Sequence, residues 1–201
     1  NPDVVYTASQ HIWRSTDQGV NWTRISDDLT TDTPAHQDYA GEPITMDNTG
    51  VEVFNTVFSL QVSPHSERTL WAGTDDGRVW ITRDDGGSWS EITPDNLPQY
   101  GTVQNIEVSP HQPGKAYVAV HRYRLDDWEP YLFKTTDFGK SWTRIADGTK
   151  GIPNDFPTWV VREDPQREGL LFAGTEFGLF VSFDKGKNWQ SLQQNLPVTR
   201  V

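Results

Sequence analysis

Short runs in which apolar and polar residues alternate recur along this chain, and turn residues separate them at similar intervals. Residues 57–62, 103–108 and 158–163 alternate in this way. Each run gives way to a proline turn, at Ser63-Pro64-His65, Ser109-Pro110-His111 and Asp164-Pro165. Each turn leads into an apolar hairpin, 70–80 and 171–180 folding back at Gly77 and Gly178, with an earlier hairpin over 4–13. Strict alternation bounded by Gly and Pro predicts half-buried strands, and a glycine between two such runs predicts a tight hairpin. No stretch keeps a helical period with caps, so almost no helix is expected. The predicted unit is strand, turn, hairpin, turn, strand: four antiparallel strands.

The turn that closes each unit carries one motif four times. It reads Ser15-Thr-Asp17-Gln-Gly19-Val-Asn-Trp22, Thr82-Arg-Asp84-Asp-Gly86-Gly-Ser-Trp89, Thr135-Thr-Asp137-Phe-Gly139-Lys-Ser-Trp142 and Ser182-Phe-Asp184-Lys-Gly186-Lys-Asn-Trp189. An apolar residue follows each copy, at Ile25, Ile92, Ile145 and Leu192. Asp bonds backbone two residues on, Gly supplies a positive φ, and the Ser or Thr hydroxyl adds a bond to the main chain. Trp then opens the next strand and offers a large apolar area for packing. The four aspartates are therefore expected to be structural rather than catalytic or metal-binding. A unit repeated at fixed register predicts a repeat architecture.

The motif resembles the Asp-box, or BNR, repeat of sialidase-like, sortilin-like and xyloglucanase-like β-propellers, and the likeness runs over the whole chain. The fold it implies is all-β: a β-propeller, or a fragment of one, of about four four-stranded blades with Asp-box turns. The blades are expected at about 1–29, 56–97, 102–148 and 157–196, with an insert at 30–55. Of the activities known among such proteins, a sialidase would need an arginine cluster, a Tyr–Glu pair and an Arg-Ile-Pro motif. The only Ile-Pro here, Ile152-Pro153, follows Gly151. A xyloglucanase-like enzyme would set two acids across a cleft between two propellers, and this chain is too short for both. The resemblance also extends to photosystem assembly factors, which use the repeat to hold a partner. The expected function is a non-catalytic scaffold that recognises a protein, peptide or glycan. The alternative is part of a glycoside hydrolase.

Spacing shows where the repeat departs from a plain blade. Successive boxes lie 67, 53 and 47 residues apart, from Asp17 to Asp84, Asp137 and Asp184. Extra residues therefore sit in the first interval, about 30–55, and near 121–130 in the second, and inserted loops commonly carry function. The first insert mixes His36, Asp38, Tyr39, Glu42, Asp47 and Glu52 with turn formers and is expected to pack over the blades. One histidine among scattered carboxylates is a poor transition-metal set, and no metal or other cofactor is expected. The second insert holds Arg122, Arg124, Asp126, Asp127, Trp128 and Tyr131. Self-pairing of its charges is the leading expectation. If a ligand binds, this is where charge and exposed rings coincide, with Trp128 and Tyr131 as a stacking platform.

A net charge of −11 argues against nucleic acid as partner. No apolar run approaches a membrane span, so no membrane insertion is expected. There is no cysteine, whereas animal sortilin-type proteins lean on disulfides. A bacterial relative is the expectation, secreted, periplasmic or on the cell surface. The sequon Asn21-Trp22-Thr23 falls inside a predicted tight turn and reads as a chance match.

Asn1 opens in the turn before a hairpin, so the first unit is expected to lack its own first strand. Residues 196–201 read as the start of a further first strand. Three arrangements are open: missing blades from a longer parent chain, closure by pairing of 198–201 beside 4–8, or self-association that completes a larger ring. The first is the one expected, with something covering the edges, because bare strand edges invite association.

Overall fold

The computed structural model describes residues 3–37 and 54–201. Within them the chain is all-β, with 3₁₀ turns at Pro34–His36 and Tyr123–Leu125. Four antiparallel sheets follow one another in chain order. The first holds β1 (Val5–Ala8), β2 (Ile12–Ser15) and β3 (Thr23–Arg24). The second holds β4 (Val57–Ser63), β5 (Ser66–Thr74), β6 (Val79–Thr82) and β7 (Ser90–Glu91). The third holds β8 (Thr102–Val108), β9 (Ala116–Arg122), β10 (Asp127–Thr135) and β11 (Thr143–Ala146). The fourth holds β12 (Thr158–Glu163), β13 (Leu171–Thr175), β14 (Gly178–Ser182) and β15 (Gln190–Ser191). These are propeller blades, each a meander whose neighbours in sequence are neighbours in the sheet.

The core lies between sheets. Ile12, Ile25 and Leu29 of the first unit pack on Val57, Leu70 and Ala72 of the second. Trp71, Val79 and Ile81 pack on β8, β9 and β10 residues such as Ile106, Val118 and Phe133. Tyr117, Ala119, Leu132 and Ile145 pack on Val161, Leu171, Phe180 and Trp189. Strand β9 shows why the alternation must be apolar on both faces. Ala116, Val118 and Val120 enter the core shared with the second sheet, while Tyr117 and Ala119 enter the one shared with the fourth. Successive side chains point to opposite faces, so a strand between two sheets reads as a continuous apolar run. Burying one such side chain is worth about 1.5–3 kcal/mol.

The four Asp-box turns share one hydrogen-bond pattern. In the third box the Thr135 hydroxyl donates to Asp137 at 2.8 Å and accepts from Gly139 N–H at 3.0 Å. The N–H and hydroxyl of Ser141 donate to the two Asp137 oxygens at 3.0 and 2.6 Å. The first, second and fourth boxes repeat these bonds about Asp17, Asp84 and Asp184. The glycine has φ between 81° and 92° in all four, the left-handed region that glycine enters without penalty. Asn21 spends its amide on Asp17 at 2.6 Å, which leaves the sequon side chain inside the turn.

Two expectations are refined. As the repeat register implied, the first sheet has three strands, and β1 pairs only with β2. The closure of 198–201 beside 4–8 does not form. Instead Val201 N–H donates to Thr175 at 3.1 Å, at the fourth sheet, and residues 196–201 take no strand.

Candidate functional site

Antiparallel meanders put alternate connections at opposite ends of the blades. The Asp-box turns and the proline turns share one end. The β5–β6, β9–β10 and β13–β14 turns share the other, together with the segments that lead from each last strand into the next sheet. Among the described residues the irregular segments are at this second end: 30–37 and 54–55 of the insert, the extended β9–β10 hairpin and the chain after Leu192.

The β9–β10 hairpin is longer than its counterparts because a 3₁₀ turn, Tyr123–Leu125, interrupts it, and Asp126 caps that turn at φ 57°. The turn lifts Tyr123 beside His121 and Trp159, with ring centroids 5.0 and 5.5 Å away. His121 in turn lies 4.2 Å from Trp159. Trp128 flanks Tyr123 at 6.3 Å and is 40% exposed. The Arg200 guanidinium covers Trp159 at 4.0 Å and pairs with Glu176, which also accepts the Trp159 indole N–H at 2.8 Å. The result is a shelf of four rings, its inner edge buried at His121 and its outer edge open at Trp128.

Two ion pairs close within the shelf, Arg200 with Glu176 and Arg122 with Asp127. Arg122 forms an ion pair with Asp127, whose carboxylate also accepts the Tyr131 hydroxyl at 2.9 Å. Arg124 lies over Tyr123, and Asp126 accepts the Trp128 indole N–H at 3.3 Å. Burial, with Arg124 and Arg200 nearby, pulls the His121 pKa down to about 4, so the ring is neutral near pH 7. Of the self-pairing expected among Arg122, Arg124, Asp126 and Asp127, the Arg122–Asp127 pair forms, while Arg124 and Asp126 enter no ion pair among the described residues.

Tyr131 does not join the platform. The β9–β10 register shifts between Asp127 and Tyr131, turning that ring into the core, where it is 4% exposed and lies under Arg144. Burial, then the Asp127 bond, raise its pKa to about 12. The shelf's other members, His121, Tyr123, Trp159, Glu176 and Arg200, lie on four different segments. Only an aromatic residue opening the run 158–163 hinted at Trp159, and nothing hinted at Arg200.

A second polar cluster sits at the same end. Thr56 N–H and hydroxyl donate to Asp75 at 2.8 and 3.1 Å. Asp76 accepts from Thr31 N–H at 2.6 Å, from Asn55 at 2.9 Å and from the Thr74 hydroxyl. Burial raises the Asp75 pKa. Next to this cluster the His36 ring meets Phe54 and Tyr100 edge-on, at 5.9 and 4.9 Å. The remainder of the first insert, with Asp38, Tyr39, Glu42, Asp47 and Glu52, lies outside the described residues. Among the described residues no three His, Asp or Glu side chains converge as metal ligands, and no helix is long and apolar enough to cross a membrane.

Residues 10–169 match the Sortilin-Vps10 family model, described as sortilin, neurotensin receptor 3. A xyloglucanase from Paenibacillus sp is 32% identical over 158 residues, 75% of this chain and 13% of the relative. An ancestral GH74 enzyme superposes with a TM-score of 0.67 at 19% identity, over 96% of this chain and 23% of its own. The extracellular domain of a putative hybrid two-component system from B. thetaiotaomicron gives 0.55 at 15% identity, over 96% and 25%. These structural likenesses establish the propeller fold. The chain spans 13% and 10% of the two curated relatives it matches.

Proposed function

This chain belongs to the Sortilin-Vps10 family, and on that premise we propose that it is a non-catalytic binding module, outside a bacterial cell, that holds a neutral polysaccharide on the Tyr123–Trp128 shelf. The observation that carries this reading is the coincidence of an open ring edge at Trp128 with polar groups beside it, Arg124 against Tyr123 and Asp126 on the Trp128 indole. Aromatic faces offer apolar area to the C–H faces of a sugar, and the flanking polar groups can exchange hydrogen bonds with its hydroxyls. Kinship with a xyloglucanase favours a glycan over a protein ligand.

The hydrolase alternative calls for a pair of acids such as Asp126 or Asp127 with one from the long insert, most of which lies outside the described residues; two further acids at this end of the blades are Asp75 and Asp76. Both carboxylates are engaged by threonine, asparagine and backbone donors, and Asp75 and Asp76 are only 6% and 3% exposed. An acid that must reach a glycosidic oxygen needs a free, accessible proton. That favours a structural role for the pair.

Affinity electrophoresis in gels cast with xyloglucan, other soluble β-glucans and galactomannan tests the proposal. At least one gel should retard the wild-type chain, Trp128→Ala should abolish the retardation with an unchanged melting temperature, and no reducing ends should appear. Retardation by none of them, or reducing ends released at the same rate by Trp128→Ala, would overturn it.

A further inference from the structure

Three Asp-box turns dock on the preceding sheet in one way. The indole N–H of Trp89 donates to the carbonyl of Ile25 at 2.8 Å, that of Trp142 to Ile92 at 2.6 Å, and that of Trp189 to Ile145 at 2.9 Å. At each of these boundaries the chain then packs its next large apolar residue on the core, at Leu29, Leu97 and Ile152. Three residues separate the isoleucine from that plug at the first boundary, four at the second and six at the third. This difference in length decides what lies beside the box.

At the third boundary the extra residues lie against the box. The main-chain N–H of Trp189 donates to the Lys150 carbonyl at 2.7 Å. The Lys150 ammonium donates to the Arg144 carbonyl at 2.7 Å and pairs with Asp147 at 2.9 Å. A methyl group added at Gly151 would stand 2.0 Å from the Trp189 carbonyl oxygen, so only glycine fits there. The chain thus supplies its own Lys-Gly segment to this boundary.

The first boundary has the same receptor groups, and its shorter loop leaves them open. Arg24 precedes Ile25 as Arg144 precedes Ile145, and Asp27 follows Ile25 by two positions as Asp147 follows Ile145. Among the described residues, exposed Asp27 enters no ion pair and the main-chain N–H of Trp89 makes no hydrogen bond. They line a groove of about 390 Å³ together with Arg24, Asp28 and Ser88. The second boundary differs, because Pro94 stands where Asp27 and Asp147 stand, and Lys140 lines its groove.

We propose that the first groove binds an extended peptide of a partner protein through a Lys-Gly pair, as the third boundary holds Lys150 and Gly151. The peptide carbonyl takes the Trp89 N–H, its lysine reaches Asp27, and its glycine passes Trp89 without a side chain. The strand edge captures main chain, and the carboxylate selects the cation. This goes beyond the glycan reading, because the groove shares no residue with the shelf.

Amide chemical shifts in nitrogen-15 NMR test the proposal, with acetyl-Gly-Thr-Lys-Gly-amide, the sequence of residues 148–151, as the probe. Titration to about 10 mM should move the Trp89 amide along a saturating curve with a Kd on the order of 1 mM, while the Trp142 amide stays in place. Asp27→Lys should weaken binding about tenfold or more at an unchanged melting temperature, and Asp27→Asn replaces it should that variant unfold. A probe with glutamate for its lysine, or alanine for its second glycine, should leave the Trp89 amide unmoved. No saturating shift at Trp89 would overturn the proposal. So would undiminished binding by the Asp27 variant or of the alanine probe, or an equal shift at Trp142. Polysaccharide retardation is read separately, so failure of the groove is distinguishable from failure of the shelf.

Discussion

The indole N–H of Trp142 reaches across from the third sheet to the carbonyl of Ile92 at the end of the second, at 2.6 Å. This bond ties a local turn to tertiary structure. It satisfies a main-chain acceptor at the blade boundary while the ring covers the apolar core beneath it. The Asp-box is thus both a turn and a clamp between sheets.

Truncating the clamp should cost according to what the ring covers. Trp189 is 4% exposed and belongs to the core shared by the third and fourth sheets. Trp189→Ala should destabilise by about 3–5 kcal/mol in urea titration. Trp22→Ala, at a ring that is 39% exposed and makes no inter-sheet hydrogen bond among the described residues, should cost about 0.5 kcal/mol or less. Equal losses would show that the rings act only within their own turns.

The box glycines offer a second comparison. Gly19 and Gly86 share a positive φ, at 92° and 89°, so alanine at either incurs the same left-handed strain of about 1 kcal/mol. Only at Gly86 would the methyl also collide with Ile25. Gly86→Ala should therefore lower the melting temperature clearly more than Gly19→Ala. Matched melting curves would remove the close inter-sheet approach from the account.

Acid should act in two stages. His121 is buried and neutral, with its pKa lowered to about 4 from the ordinary 6.5. Between these values the unfolded chain binds the proton and the folded chain does not, so stability falls as pH drops from 6.5 towards 4. The box aspartates are held at about 2 against an ordinary 3.8. Asn21 N–H is the leading cause for Asp17, and the side chains of Ser88, Ser141 and Asn188 lead for the others. Their contribution is present above 3.8 and is lost as pH falls through about 2. The boxes are exposed, so this second limb should be shallow. Melting temperatures from pH 8 to 2 read both limbs, and His121→Gln should flatten the first alone.

A buried ion pair joins the third and fourth sheets. Lys115 donates to Glu163 at 2.7 Å, and both side chains are almost wholly buried. Glu163 also accepts the Tyr117 hydroxyl at 3.1 Å and Gly169 N–H at 2.9 Å. Burial pushes the Glu163 carboxyl up, but Lys115 and its other donors outweigh this and leave its pKa lowered. Removing one partner strands the other charge, so Lys115→Met should cost about 3–5 kcal/mol. Adding Glu163→Leu should recover part of that loss, as two apolar groups replace two charges. A double variant no more stable than Lys115→Met would refute this reading of the pair.

Much of the blade was legible because its signals are local. The runs at 57–62, 103–108 and 158–163 became β4, β8 and β12 with boundaries shifted by at most one residue. The boxes folded as their Asp, Gly and hydroxyl spacing required. The candidate site was legible only in part. Arg122, Asp127 and Trp128 could be singled out from one hairpin, but Tyr131 could not be placed, because a register shift turned its ring inward.

The sequence by itself determined the repeat, the strands and the chemistry of each turn, since these depend on residues within about four positions of one another. Tertiary structure decided which rings meet. Tyr123, Trp159 and Arg200 come together because adjacent sheets bring the same end of successive blades side by side, a relation that spacing along the chain does not encode. It also decided that, among the described residues, three box tryptophans find an acceptor while Trp22 finds none. The four motifs are alike as sequences, and they differ only in whether a neighbouring sheet presents a carbonyl to them.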